Sequence, residues 1–452
     1  MDHFRILALA ALVFLTASSV AAADGRTISA DKILEQIAAG EPVEYDGYTI
    51  EGALDLDRLV NLPSLKEGLF YQEPHANLSG DKRAIASLMR ITNCTIEGEV
   101  NFNNTIFRSP IDLKNTVFED HAGFRGAVFK KGAYLSGSQF SEYADFLGSE
   151  IEDFAYFNDS RLHDYADFEG AYFDYANFSA NFTDIADFKY AHFNDTAYFR
   201  GAGFNGDARF VGARFKGVAD FQGGSFKRDS SFVGVNFSNE AKFDNVRFEE
   251  NVVFGRGYDL LDQFDGGRFS YASFSYASFQ RAEFNGNAGF ENVSFEGADF
   301  TRAEFKGPAN FKDARFTGFN IADFRGALFN STAVFQKAIF NCTASFGNTG
   351  LNLSSASMST GQNSEASFDN SSSIAPIPSE DMGSKRLNNN NCSESSLFID
   401  TAVFEDPGFN STLDLSDDIL FEDESEFKII YDFWSLILSD DNSSDGARFN
   451  EY

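Results

Sequence analysis

The sequence of 452 residues predicts an all-β solenoid, and three observations carry that expectation. Phe is the commonest large apolar residue, with 54 copies against 29 Leu, whereas Leu leads in ordinary globular domains. From Phe102 to Phe346 there are 43 Phe but only seven Leu, and 40 of these Phe fall on a lattice of alternating five- and six-residue steps, a period of 11. Small residues frame the lattice: Ala stands two positions before many of the Phe, as at Ala122, Ala144, Ala166, Ala186, Ala208 and Ala219, and Gly, Asn or Asp two positions after.

An 11-residue period also marks right-handed helical coiled coils, so the helix must be excluded first. At ~100° per residue a step of five turns ~140° and throws successive Phe to opposite sides of a helix. Gly126, Gly148, Gly170, Gly201, Gly206, Gly212, Gly217, Gly223 and Gly234 would break helices and suit corners that need positive φ. What survives is a coil of short straight sides, each turning one large and one small residue inward, with a corner between sides. Phe168, Phe188, Phe199, Phe210, Phe221 and Phe232 are the expected core, and Ile91, Ile96, Leu113, Leu135, Ile151 and Leu162 occupy the same lattice upstream. Between 254 and 284 the step becomes a plain five, through Phe264, Phe269, Phe274, Phe279 and Phe284; Phe154, Phe182 and Phe319 lie off the register.

The triplets Ala166-Asp167-Phe168, Ala186-Asp187-Phe188, Ala219-Asp220-Phe221, Ala298-Asp299-Phe300, Ala309-Asn310-Phe311 and Ala322-Asp323-Phe324 resemble the pentapeptide-repeat family, whose unit is A-(D/N)-(L/F)-x-x. The resemblance covers over half of the chain and implies a right-handed quadrilateral β-helix. The departure is the sixth residue in alternate repeats, read as a bulge at every second corner, which makes a four-sided coil of 22 residues. About 11 such coils at ~4.8 Å per stacked strand give a rod roughly 50 Å long. Phe then stacks on Phe and Ala on Ala, leaving an interior too narrow for a ligand, so function must lie outside.

Taken in order, residues 1–23 read as a secretory signal: His3 and Arg5, an apolar run from Ile6 to Leu15, and Ala21-Ala22-Ala23 as a cleavage site. No later stretch approaches the ~20 apolar residues of a membrane helix, so no integral span is expected after signal cleavage. Residues 24–90 fit an N-terminal cap, in which Ser29 starts a helix from Ala30 to Ala39 with Ile33, Leu34 and Ile37 on one face, and Gly40 with Pro42 stops it. Val43 to Leu56 then looks extended, feeding the solenoid of residues 91–346. Residues 347–396, rich in Ser, Asn and Gly, read as a flexible linker. The tail 397–452 carries 15 Asp+Glu against two Lys+Arg, and its one apolar segment, Phe427 to Leu438, suits docking on the last coil.

Charge and motifs bound the function. A net charge of -32 argues against nucleic-acid phosphate or anionic lipid as direct partners and favours cations and basic proteins. Sixteen N-x-S/T sequons, where composition gives about five, point to an exported glycoprotein, secreted or at the cell surface. Those read as open to sugar start at Asn77, Asn93, Asn103, Asn158, Asn194, Asn292, Asn330, Asn352, Asn370, Asn410 and Asn442, whereas the sequon of Asn177 straddles a core Phe. Three cysteines are too few for a disulfide framework. The five His have no ligand spacing, and no P-loop, nucleophile elbow or metalloprotease motif is present, so no catalytic residue, metal site or cofactor is expected. The most suggestive surface feature is aromatic. Tyr143 and Tyr165 are 22 residues apart, as are Tyr134 and Tyr156, which places each pair at one outward position of adjacent coils, near Tyr172, Tyr175 and Tyr190. Such ladders stabilise an outer face, or contact a protein or a cell-surface glycan. The expected function is therefore a non-enzymatic, exported scaffold or interaction protein. The family resemblance adds an alternative, a DNA mimic that inhibits a topoisomerase; a carbohydrate-binding or polysaccharide-acting solenoid is another. Exposed coil ends also admit end-to-end dimers.

Overall fold

The computed structural model describes residues 25–59, 82–255, 271–317 and 322–331, with shorter stretches at 64–65, 333–335, 337–340, 344–345, 397–399 and 403–404. Through these the chain coils over four short sides, each paired in parallel with the same side of the next coil, forming a right-handed quadrilateral β-helix. In one coil the sides are Val117–Phe118 (side 1), Ala122–Gly123 (side 2), Val128–Phe129 (side 3) and Ala133–Tyr134 (side 4); sides 1 and 2 are separate 13-stranded sheets. Sides 3 and 4 belong to one 23-stranded sheet, because strands such as Glu150–Tyr156 and Asn236–Lys242 run on through the corner between them. On side 1, Thr95 pairs with Val117, Val117 with Gln139 and Gln139 with Arg161, each 22 residues on, as the sixth residue of alternate repeats requires.

The interior is a column of rings. Phe168, Phe188, Phe199, Phe210, Phe221 and Phe232 are all fully buried. Along the axis rings lie nearly parallel, with Phe188 4.8 Å from Phe168 and 4.9 Å from Phe210. Across the coil they meet edge to face, as Phe188 and Phe199 do at 5.4 Å and 88°. Both arrangements bring positive ring edges toward negative faces, so one residue type satisfies every contact. Phe182, off the register by sequence spacing, is nonetheless in the column, paired with Leu162 below and Phe204 above. A short four-residue step from Phe178 brings it there, in a coil of 20 residues from Arg161 to Asn181.

The two corner types have different physical causes. After sides 2 and 4 the corner is tight and its residue is left-handed: Gly126 (φ 60°), Gly148 (φ 58°) and Gly170 (φ 62°), or Asn115 and Asp159 where no glycine stands. After sides 1 and 3 the sixth residue widens the turn. Gly206 and Gly217 lie there and do not have positive φ; a Cβ on either would run into the backbone of Asp184 or Asp195 in the coil below. Close backbone approach, not handedness, explains those two glycines.

Helix α1 (Ala30–Ala39) covers the N-terminal end. Ser29 Oγ accepts from the Lys32 amide, Gly40 at φ 73° ends the helix, and Ala30, Ile33, Leu34 and Ile37 join the buried column. The division at residue 90 does not separate a cap from the solenoid. Val43 pairs with Met89, Thr49 with Thr95 and Leu54 with Val100, so Val43–Asp46, Thr49–Glu51 and Leu54–Asp55 already form sides of the first coil. Their inward residues are Val43, Ile50 and Leu54, and without Phe the lattice is not visible in sequence.

One coil is interrupted. The Ala272 amide donates to the Phe254 carbonyl at 3.1 Å, and the Phe254 and Phe274 rings lie 5.7 Å apart. Phe237 pairs with Phe274 and Phe248 with Phe284, so the coil closes without residues 256–270. The coil's closure therefore does not draw on the five-residue lattice at Phe264 and Phe269; both residues, with Phe319, lie outside the described residues. At the far end, Leu397–Ile399 and Val403–Phe404 pair antiparallel with Ala338–Phe340 and Ala333–Val334, covering the edge of sides 3 and 2. The signal, the linker, Phe427 to Leu438, Cys342, Cys392, Asn77, Asn352, Asn370, Asn410 and Asn442 lie outside the described residues.

Candidate interaction surface

The column has no room for chemistry, so any site must be assembled from outward positions. Two recur: the residue just before each inward Phe, at mid-side, and the residue three before it, at a wide corner. The expected tyrosines use both and divide between opposite sides of the coil.

On side 2, Tyr143 and Tyr165 stack at 5.4 Å across successive coils, with His121 5.0 Å below Tyr143. Their hydroxyls point at carboxylates of the next coil up: Tyr143 donates to Asp167 Oδ2 and Tyr165 to Asp187 Oδ2, both at 3.0 Å. Asp145, Asp167 and Asp187 are themselves buried and stacked in register. Asp167 and Asp187 each accept from the backbone amide two residues on, Glu169 and Lys189, so the repeat's Asp holds its own corner. Asp145 pairs with Arg125 and Asp187 with Lys189 and Arg209. Asp167, between them, has burial and then the flanking Asp187 and Asp145 charges pushing its pKa up to about 7, against the amide and Tyr143 bonds. Burial and the same carboxylates push the Tyr143 and Tyr165 hydroxyls upward too.

On side 4, Tyr134 and Tyr156 stack at 5.6 Å. Asn177 follows in register and then Tyr198, while Tyr175 leans in from the corner, 5.8 Å from Tyr156 and 5.7 Å from Tyr198. Phe154 completes the strip, stacked on Tyr156 at 5.7 Å and 42% exposed. The cause is local. The ladder shifts between Ile151 and Phe154, Asp153 takes φ 63°, and with Ala155 and Phe157 already turned inward Phe154 has only the outside to occupy. Lys114 Nζ lies 4.9 Å over the Tyr134 ring.

The structure therefore brings Tyr134, Tyr156 and Tyr175 together, adds Phe154 and Tyr198, and sets Tyr143 and Tyr165 apart. Tyr172 lies on side 3, in register with Glu150 and His192, and its hydroxyl donates to Asp174. Phe154 had a signal in sequence, being off the lattice; Tyr198 did not, because Asn177 interrupts the 22-residue spacing. Of the described sequons, Asn93, Asn158, Asn194 and Asn330 have their amide nitrogens bonded to Asp46, Asp159, Asp174 and Glu304, while Asn103 and Asn292 stand at half-buried positions. Cys94 is a buried thiol donating to the Thr92 carbonyl, in a small-residue position of the column. Among the described residues no three His, Cys, Asp or Glu gather as a metal site, and no helix is long and apolar enough to cross a membrane.

A family model described as pentapeptide repeats (9 copies) matches residues 91–139, 178–225 and 300–350. The coils bearing Phe154, Tyr156 and Tyr175 lie between the first two of these stretches. Comparison with curated proteins and with solved structures finds no match.

Proposed function

Because the chain belongs to the pentapeptide-repeat family, we propose that it is an exported, non-enzymatic scaffold that makes its contacts through an outer side of the solenoid. The observation that carries this reading is the strip of Tyr134, Phe154, Tyr156, Tyr175 and Tyr198, whose Phe154 is 42% exposed, whereas the lattice phenylalanines among the described residues are buried. Exposed aromatic clusters of this kind favour contact over solvation. Export rests on residues 1–23 and on the sequon excess. The DNA-mimic alternative draws less support from the outward ladders, which mix signs: Asp187 is followed by Arg209 on side 2, and Asp220 by Lys242 on side 4.

Two measurements test the reading. Intact mass of protein from culture medium or the cell surface is expected to equal the chain from Asp24 onward plus glycan increments; retention of full-length, sugar-free chain inside the cell would overturn export. Replacing Phe154, Tyr156 and Tyr175 together by Ser is expected to abolish surface association while leaving the unfolding temperature within a few degrees. Unchanged association would remove this strip as the contact.

A further inference from the structure

We infer that the strip on side 4 docks an extended polypeptide segment in which Lys or Arg alternates with apolar residues. The inference rests on the contact reading above and names its partner. Phe154, Tyr156, Tyr175 and Tyr198 form the apolar half of the site. Its polar half is a row of carboxylates at the adjoining corner: Asp153, Asp174 and Asp195, one per coil. Asp153 lies 4.0 Å from Lys131. Among the described residues Asp174 accepts from neutral donors, the Tyr172 hydroxyl, the Asn194 amide and the Asp153 backbone, and Asp195 from Thr196. Among the described residues neither Asp174 nor Asp195 is in an ion pair, whereas Asp145, Asp187, Asp220 and Asp323 are each paired with Arg or Lys.

Charge complementarity therefore selects a cation, and the rings select apolar groups beside it. Tyr134 already engages an ammonium, that of Lys114. Successive rings from Tyr134 through Tyr156 and Tyr175 to Tyr198 are 5.6, 5.8 and 5.7 Å apart. At ~3.3 Å per residue an extended segment of about six residues spans that length, with alternate side chains facing rings and carboxylates. A neutral glycan would stack on the rings but leave Asp174 and Asp195 uncompensated.

The test uses the full mature chain and three probes: a fluorescein-labelled octapeptide alternating lysine and leucine, its twin with glutamate for lysine, and a neutral β-glucan oligosaccharide. Anisotropy is expected to report binding of the lysine peptide alone, weakening with salt. Phe154→Ser with Tyr175→Ser should weaken it about tenfold or more. Asp174→Asn with Asp195→Asn should weaken it and flatten the salt dependence, while Glu97→Gln with Glu119→Gln on side 1 should not. Equal losses from both acid pairs would mean diffuse attraction to an acidic rod and overturn the inference. Binding of the glucan and not the lysine peptide would overturn the partner class while leaving the strip as a contact surface. If the strip variant lost surface association and the lysine peptide still bound it unchanged, the assignment of that peptide class to this site would fail by itself.

Discussion

Side 2 and side 4 carry the same sequence signature, tyrosines 22 residues apart, yet the ladders do different things. On side 2 each hydroxyl is committed to a buried carboxylate of the neighbouring coil. That ladder is part of the wall. On side 4 the Tyr134 and Tyr156 rings stack in the same way, but among the described residues neither hydroxyl has a hydrogen-bond partner, and Phe154 and Tyr175 extend the apolar strip. Spacing alone finds ladders; the hydrogen-bond partner one coil away decides whether a ladder is mortar or surface.

The largest expected difference between wall and surface lies in the phenylalanines. Phe188 is fully buried among rings of three neighbouring sides, so Phe188→Ala should cost about 3–5 kcal/mol through lost transfer and the cavity left in a stiff column. Phe154→Ala should cost under about 1 kcal/mol, since the ring already meets solvent. Urea midpoints at constant m-value would measure both. A comparable loss at Phe154 would mean that side 4 is braced by its strip.

The wall on side 2 should also titrate. Asp167 holds its proton to about pH 7 in the fold, against an ordinary 3.8, so folding takes up a proton and stability falls as pH rises between those values. His192 on side 3 works in the opposite sense. Burial, then Arg214 and Lys216, pulls it down to about 4 from 6.5, so folding expels a proton and stability falls as pH drops from 6.5 to 4. Each slope approaches ~1.4 kcal/mol per pH unit, and in the native chain they oppose each other between pH 4 and 6.5. Asp167→Asn should expose a loss of stability toward acid, and His192→Gln a loss toward neutral pH, in unfolding temperatures measured at pH 4.5, 5.5 and 6.5. Three parallel curves would show that neither group is shifted by the fold.

How far the sequence reached follows from what repeats. The column was legible because each inward position demands the same residue types, so Phe and Ala write the 11-residue period directly. The first coil was not, because Val43, Ile50 and Leu54 fill the same positions without the marker. Phe264 and Phe269 misled for the converse reason: they keep a five-residue spacing where the coil closes from Phe254 to Ala272. The aromatic surface was half legible. Period 22 predicted which tyrosines stack, but the side each ladder occupies depends on how many wide corners precede it. Whether a hydroxyl is spent depends on Asp167 or Asp187 standing opposite it, a relation between coils and not within one.

The smallest and most discriminating change is therefore the removal of one oxygen from each ladder. Tyr165→Phe takes away the donor to buried Asp187, leaving that carboxylate with the Lys189 amide and its two cations. The cost should be about 1–2 kcal/mol, because a desolvated acceptor loses a bond that water cannot replace. Tyr156→Phe removes a hydroxyl that has no hydrogen bond among the described residues, and should cost no more than about 0.5 kcal/mol. Ring stacking is retained in both variants, so the difference between their unfolding midpoints isolates the hydrogen bond from the ladder. Equal costs at the two positions would mean that the side 4 hydroxyl is also committed within the fold, and the strip would then lose its claim to be a contact surface.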